Sequence, residues 1–579
     1  MEKIDIKKVI ESKSPDFLNQ FPKSFSKFII KFFERFLRIN EINEFIDKAK
    51  DKFSMDFVIA LFEHLNVKFE VNVEELKRIP SEGKLIIVSN HPLGGLDGLA
   101  LVSIVKRVRK DVRIVANDLL QNVKNINDLF LPVDLESFAK QKHQLKLIDQ
   151  AFNNDEAVIF FPSGKVSRLY PDGIHDRKWR NGATKYSSKF DVPILPIYVK
   201  ARNSFLFYLL SMIHTNIGMF MLPQELFRKR NKTFTIKIGE LIPSKVFTGN
   251  TLKPKIQSKL LKQHTYRIGR GKEGIFNTEQ TIIHPVNPEV VANELHDNIN
   301  LGLTIDGKSI FLVDYSKAKN VILEISRLRE LTFRKVGEGT NKPFDMDIYD
   351  IYYKHIVLWD EENREIIGSY RLGSTKEIID TYTKKGLYNS SQFVLTDYFD
   401  EILEQSIEVG RSFIQQKYWK SNALDYIWQG IGAYLSDKPE IKYLWGAVSI
   451  SNSYSELAKG LIIQYYRKWY SGNQFLVKPI FEYEISSKIL DDVNSFLVGN
   501  DHTEDLKFLK LALKNIGFSI PVLYRKYTEL TEYGGSTFIS FCIDHHFNNS
   551  IDGLILVDLQ RLKSEFRERY YKTRSLIIN

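Results

Sequence analysis

His91 and Asp97 are separated by five residues in the stretch IIVSNHPLGGLDGLALV, residues 86 to 102. Pro92, Gly94 and Gly95 rule out a plain helix between them, so the loop can bring the two side chains together. An imidazole whose second nitrogen is held by a carboxylate is a competent general base. The same pairing orients the histidine of nucleophilic triads. No serine in a nucleophile elbow accompanies it, so the proton would come from a substrate hydroxyl. A structural His–Asp pair is the plainer alternative. A second set lies far downstream. Glu408 in SIEVGRSFI could act as a general base, with Arg411 and Arg371 binding an anion or buttressing it. An internal Glu–Arg ion pair would use the same residues. Arg168 offers a guanidinium fork to an acceptor anion, or is a surface arginine.

Other candidates read as structural. VGEGT, residues 336 to 340, lacks the Gly-Lys-Ser/Thr ending of a phosphate loop and is expected to be an ordinary loop. Asp345, Asp347, Asp350, His545 and His546 have no supporting cluster at ligand spacing. Solvated or helix-capping roles are expected there, and no metal.

These residues need elements to position them. Residues 1 to 80 read as helical, with Phe25, Phe28, Ile29, Phe32, Phe33, Phe36 and Leu37 on one face. Lys23, Lys27, Lys31, Arg35 and Arg38 fall mostly on the other. Such a helix packs on its own domain or lies in a membrane interface. From 81 to 250 the runs LIIV, VRIVA, AVIFF, PILPIYV and FTIKIG alternate with helical patterns, which predicts an α/β domain with buried strands. Residues 251 to 320, with GRGKEG, HPVNPE and TIDGKS, read as a connector. A second α/β domain is predicted over 321 to 579, with HIVLW and IIGSYRLG as a hairpin.

Composition bounds the rest. The 579 residues are 43% hydrophobic and 26% charged, ordinary for a globular chain of two or more domains. One cysteine, Cys542, excludes an intramolecular disulfide and fits a reducing compartment. No signal peptide is expected from MEKIDIKKVIESKSPDF. The longest apolar stretch, 205 to 222, is broken by His214, Asn216 and Gly218, so no membrane span is expected. The net charge of +11 favours an anionic partner without choosing a membrane, nucleic acid or acidic protein. No RNA-binding signature accompanies it.

IVANDLL, LFLPVDL, FFPSGKVSR and VPILPIYV follow the His–Asp loop in that order. The set resembles the glycerophospholipid acyltransferase family, most closely its hemolysin-like branch of lyso-lipid O-acyltransferases. The His–Asp spacing is one residue longer than is usual in that family. Ser163-Gly164-Lys165-Val166-Ser167-Arg168 stands where the family usually continues Glu-Gly-Thr-Arg. The resemblance implies a catalytic dyad of His91 and Asp97, with Ser163, Gly164, Lys165 and Arg168 on the substrate. Residues 324 to 579 resemble GNAT-type N-acyltransferases that use acyl carrier protein, including ornithine N-acyltransferases and, more distantly, acyl-homoserine-lactone synthases. After SIEVGRSFI, the segment IQQKYWKSN lacks the glycines of a coenzyme A pyrophosphate loop. That favours acyl carrier protein as donor, with no cofactor.

O-type and N-type halves on one chain resemble the bifunctional ornithine lipid synthases. The implied pathway is N-acylation of ornithine, or of glycine or another amino acid, with a 3-hydroxyacyl group. O-acylation of that hydroxyl would follow. The implied location is the cytoplasmic face of the cytoplasmic membrane, peripherally bound, with no nucleic-acid partner. A lysophosphatidate acyltransferase with an accessory domain is the other enzyme reading.

Overall fold

The computed structural model describes residue 7 and residues 22–571, apart from 37, 117–122, 133–137, 214, 249–251, 498 and 500. Leu37, most of the N-terminal segment before residue 22, and parts of IVANDLL and LFLPVDL lie outside the described residues. The chain forms two compact units, 1–281 and 282–579.

The first unit begins with helices Lys23–Phe36, Ile39–Lys48 and Ser54–Leu65. On the first of them Phe28 and Phe32 are exposed, as are Lys27, Lys31 and Arg35. The strands that follow are β1 (Lys68–Val71), β2 (Leu85–Ser89), β3 (Val112–Ala116), β4 (Phe130–Pro132), β5 (Ala157–Phe160), the hairpin β6 (Arg168–Tyr170) and β7 (Gly173–His175), β8 (Ile194–Lys200) and β9 (Thr233–Ile238). Seven of them form one sheet in the order β1-β9-β8-β2-β5-β3-β4. Only β8 and β9 run antiparallel within it. β2 and β5 are buried at every residue. This is why they read as unbroken apolar runs: a parallel sheet is covered on both faces. Leu85, Ile87, Ile159 and Leu195 face one core, and Ile86, Val88, Val158 and Ile194 the other. The apolar stretch from 205 becomes two helices, Phe205–Ile213 and Thr215–Arg228. Among the described residues no helix is long and apolar enough to cross a membrane.

The second unit holds β10 (Ile299–Leu303), β11 (Ser309–Asp314), β12 (Lys354–Asp360), β13 (Glu365–Ser374), β14 (Phe393–Leu395), β15 (Ser406–Ile414), β16 (Tyr443–Ile450), β17 (Val477–Pro479), β18 (Ser536–Asp544) and β19 (Ser550–Asp558). Eight of them form a sheet in the order β10-β11-β12-β13-β15-β16-β19-β18. Helix Lys319–Val336 packs Val321, Ile322, Ile325 and Leu328 against Phe311, Val313, Val357 and Trp359. Helix Ala423–Leu435 covers the opposite face through Ile427 and Ile431, against Ile310, Ile356 and Leu358.

Two α/β units are present as the alternating patterns predict, but the connector expected at 251–320 is corrected. Helix Pro254–Gly269 packs on β8 of the first unit, and β10 and β11 already belong to the second sheet. The boundary between the units falls inside this stretch, at 281/282, with ordered elements of each unit on either side.

Candidate active sites

In the first unit the chemistry collects at the carboxyl ends of parallel strands, the usual place for ligands in such sheets. β2 ends at Ser89, and Asn90 then anchors the loop to β8. Its amide accepts the Val199 N–H at 2.7 Å and donates to the Val199 carbonyl at 3.0 Å. Asn203 Nδ2 donates to the Pro92 carbonyl at 2.9 Å. Asp176 clamps the loop from below. Its Oδ1 accepts the His91 N–H at 3.2 Å and the Ser167 hydroxyl at 2.6 Å, and its Oδ2 accepts Trp179 Nε1 at 2.9 Å.

Gly94, at φ 83, then turns the chain into helix Gly95–Val105. A side chain there would be strained, and its Cβ would stand 3.3 Å from Leu222. This turn places Asp97 in the first helical turn with Oδ2 3.1 Å from His91 Nδ1. The same oxygen accepts the N–H groups of Leu93 at 2.7 Å and Gly94 at 3.1 Å. Burial pushes the Asp97 carboxyl up, against the pull of His91 and these two amides. The His91 ring stacks on Phe161 with centroids 4.2 Å apart. With Nδ1 committed to Asp97, Nε2 is the nitrogen that can take a proton.

His91 sits in the wall of a cleft of about 330 Å³ with Ile114, Phe130, Ile148, Phe161 and Tyr186. Gly164 lines it too, at φ 63 in a turn that the buried Ser163 closes by donating to the Lys165 carbonyl at 2.8 Å. Lys165 is exposed. Arg168 is brought elsewhere: half-buried on β6, it donates to Ser211 at 3.1 Å and lies 4.9 Å over the Phe207 ring. Arg180 lines the cleft instead.

In the second unit β15 and β16 run parallel but pair only over Ser406–Glu408 and Tyr443–Trp445. Beyond that they part. Gly446 lies at the fork, where a Cβ would collide with the Val409 carbonyl. Gly446→Ala should therefore destabilise the fold by about 1–3 kcal/mol, the usual penalty of overpacking. Chemical denaturation measures this directly. On the other edge the β13–β15 pairing shifts register between Ser369 and Arg371, and Arg411 adopts φ 51. A cavity of about 540 Å³ opens between the parted strands, lined by Arg411, Tyr388, Ser449, Glu338 and Asp552 with apolar neighbours such as Val409 and Leu424.

Arg371 and Arg411 belong to a buried ion network. Arg371 reaches Asp347 at 2.6 Å and Asp350 at 3.1 Å, and Arg329 reaches Asp350 at 2.7 Å. Arg411 lies 3.5 Å from both Asp345 and Asp347. Burial favours the neutral acid at Asp350, but Arg329 and Arg371 overcome it and hold the carboxyl well below the usual range. The acidic run thus corrects one expectation and keeps another. Asp345 and Asp350 are buried, not solvated, while Asp347 does cap the turn Ile348–Ile351.

Glu408 is 1% exposed. It accepts hydrogen bonds from the Tyr353 hydroxyl, the Tyr388 N–H at 3.1 Å, the Asn389 N–H at 2.7 Å and Asn389 Nδ2 at 2.6 Å. Burial pushes its carboxyl up against these donors. It is not part of the cavity wall, in contrast to Arg411. It holds the Tyr388–Asn389 segment, whose Tyr388 ring lies 5.0 Å from both the Arg371 and the Arg411 guanidinium.

Sequence reasoning missed Glu338, dismissed with VGEGT, and Asp552. A signal existed for the second, an acid inside the inward-facing apolar run SIDGLILVD. Among the described residues no group of three or more His, Cys, Asp or Glu side chains could hold a metal ion.

Residues 8–270 match the model of a family described as acyltransferase, and residues 328–429 match that of the acetyltransferase (GNAT) domain. The molecule is an acyltransferase with O-type and N-type parts. A lyso-glycine lipid O-acyltransferase of Bacteroides thetaiotaomicron is 34% identical over 251 residues, covering 42% of this chain and 90% of that protein. A glycine N(alpha)-acyltransferase of the same bacterium is 30% identical over 307 residues, covering 51% of this chain and 90% of that protein. The crystal structure of 1-acyl-sn-glycerophosphate acyltransferase from Thermotoga maritima aligns with 46% of this chain and 90% of its own, at 16% identity and a TM-score of 0.25. The chain belongs to the aminolipid acyltransferases, whose chemistry is N-acylation of an amino acid and O-acylation of a lyso-lipid.

Proposed function

We propose that this chain makes a diacylated aminolipid in two steps. The second unit transfers a 3-hydroxyacyl group from acyl carrier protein to the α-amine of ornithine, and the first unit then acylates the 3-hydroxyl. The observation that carries this reading is the match of an acyltransferase family and of the GNAT domain on one chain, each over a unit with its own candidate site. A His–Asp pair lines an apolar cleft, and a fork between parallel strands opens onto a cavity with Arg411 in its wall. Joining the two raises the effective concentration of the single-chain intermediate at the second site. In the O-acylation, His91 Nε2 takes the hydroxyl proton as the oxygen attacks the thioester carbonyl, and Asp97 steadies the imidazolium. The cleft's apolar wall receives the acyl chain.

Several features support the finer points. After β15 the amides turn inward: Tyr418 N–H bonds to the Gln415 carbonyl at 2.9 Å and Trp419 N–H to the Gln416 carbonyl at 3.2 Å. Those two amides are not free for a pyrophosphate and the segment IQQKYWKSN carries no glycine, which favours acyl carrier protein over coenzyme A. Phe205, Leu206, Leu209 and Met212 are exposed on helix Phe205–Ile213, as are Phe28 and Phe32 on theirs. With a net charge of +11 these suit peripheral attachment to an anionic membrane, at its cytoplasmic face. Ser163, Gly164 and Lys165 would bound the acceptor's entry, and Arg168 would brace the hairpin beside it. Arg371 would fix Arg411 through the shared Asp347.

Ornithine is the acceptor read from the fusion of the two halves. Glycine is the second reading, favoured by the relatives' names. The test is expression in a host without aminolipids, fed labelled ornithine or glycine, with mass spectrometry of total lipids. A diacylated lipid carrying the ornithine label is expected. Glycine label would change the acceptor alone, and no new aminolipid from folded protein would end the two-step reading.

A further inference from the structure

The amine acceptor arrives as an ammonium ion and must lose a proton before it can attack. Glu408 is poorly placed to take it, being enclosed by four donors. Two other carboxylates are better placed. Glu338 follows helix Lys319–Val336 and reaches into the cavity, and Asp552 enters the same cavity from β19. Ser449 on β16, the cross-strand partner of Asp552, lines the cavity together with both acids. Among the described residues no Lys or Arg forms an ion pair with either acid. Asp552 accepts Gln392 Nε2 at 2.9 Å and the Ser550 hydroxyl at 3.4 Å. On another wall of the cavity Arg411 keeps an Nε with no hydrogen-bond partner among the described residues.

We propose that Glu338 and Asp552 act as one proton-accepting pair for the acceptor's α-ammonium, while Arg411 takes its carboxylate. This rests on the N-acylation reading and locates the base within it. The ammonium gives one proton to the pair. The freed nitrogen lone pair attacks the thioester carbonyl, so that a C–N bond forms and the C–S bond breaks. The second amine proton ends on the departing thiolate, giving the thiol, and the pair releases the first to solvent.

The surroundings set the pair's pH range. Burial and then Asp552 raise Glu338 to about 7, and burial and then Asp544 raise Asp552 to about 7. Arg411 on β15 opposes the rise at Asp552. The other titratable groups facing the pair, Tyr388, Tyr454, Tyr524 and Cys542, are all pushed up by burial and stay neutral. The pair is therefore protonated below about 7 and able to accept above it.

The experiment is single-turnover N-acylation by the full chain, with acyl carrier protein thioester and the acceptor, from pH 6 to 10. In the wild type kcat/KM should rise through about 7. Glu338→Gln should lower the rate about 10²-fold or more at pH 7.5. Its remaining activity should climb at higher pH, following the acceptor's own amine, and Glu338→Asp should recover part of the rate. Since a buried carboxylate with a raised pKa opposes folding above that pKa, Glu338→Gln should melt no lower than the wild type. A structural role would lower the melting point and leave the pH profile in place. Asp552→Asn should shift the same limb. An unchanged limb in folded Glu338→Gln and Asp552→Asn would overturn the assignment. Absence of N-acylation in the wild type would overturn the two-step reading, and this assignment with it.

Discussion

Replacing His91 by alanine will stop O-acylation and leave the monoacylated aminolipid to accumulate. The expected loss is about 10²- to 10⁴-fold, the range of a positioned general base. Among the described residues nothing else in the cleft replaces it. Ser163 is turned into its own loop, and Arg180 cannot accept a proton. The surrounding fold should survive, because the loop is held by Asn90, Asn203 and Asp176 through side chains and backbone that do not involve the imidazole. Asp97→Asn should lose less than His91→Ala while holding the same geometry, since the amide keeps a carbonyl for Leu93 and Gly94 but no charge for the imidazolium. Mass spectrometry of lipids from cells expressing each variant checks both. A diacylated product at wild-type yield from His91→Ala would remove the dyad from the mechanism.

The second large effect lies in the ion network. Asp350→Ala should destabilise the second unit by about 3–5 kcal/mol, the usual result of breaking a buried pair on one side. Asp350 accepts from Arg329 at 2.7 and 2.8 Å, from Arg371 at 3.1 Å and from the Asp347 N–H at 2.9 Å. Its removal leaves two buried guanidinium groups short of a counter-charge. Because its folded pKa is depressed, its contribution is full above the ordinary carboxylate value of about 3.9 and is lost as pH falls through the lower folded value. Denaturant unfolding at pH 7 and at pH 3 should therefore show the gap between wild type and variant narrowing in acid. A constant gap would assign the loss to packing instead.

The residue types of the first site were legible because they are local. Pro92, Gly94 and Gly95 announce a sharp turn, and a histidine and an acid on such a turn can meet without help from the rest of the chain. Its supports were not legible. Asp176 reaches His91 across 85 positions and Asn203 reaches Pro92 across 111, distances over which sequence patterns carry no contact information. Arg168 shows the converse: a guanidinium near the motif reads as a ligand-binder, yet Phe207 and Ser211 draw it away. In the second unit, alternation identified the sheet and β15, which carries Glu408 and Arg411. The acids around them were harder to place. An Asp-rich turn looks solvated until three arginines from separate elements close on it, and Glu338 looked like the middle of an ordinary loop until β16 and β19 supplied its neighbours. The boundary near 281 was hidden by β11, a short apolar run, SIFLVD, among turn-rich segments.

Asp176 carries a consequence for how this protein can vary. One carboxylate ties the backbone of the histidine, the Ser167 hydroxyl and the Trp179 indole together. Changes in the hairpin Arg168–His175 and in the Asn90–Gly94 loop are then not independent. A substitution tolerated in one becomes harmful or benign according to the state of the other. Such epistasis should appear as strong non-additivity in double mutants. It makes the hairpin and the loop a single heritable unit, drifting together or not at all.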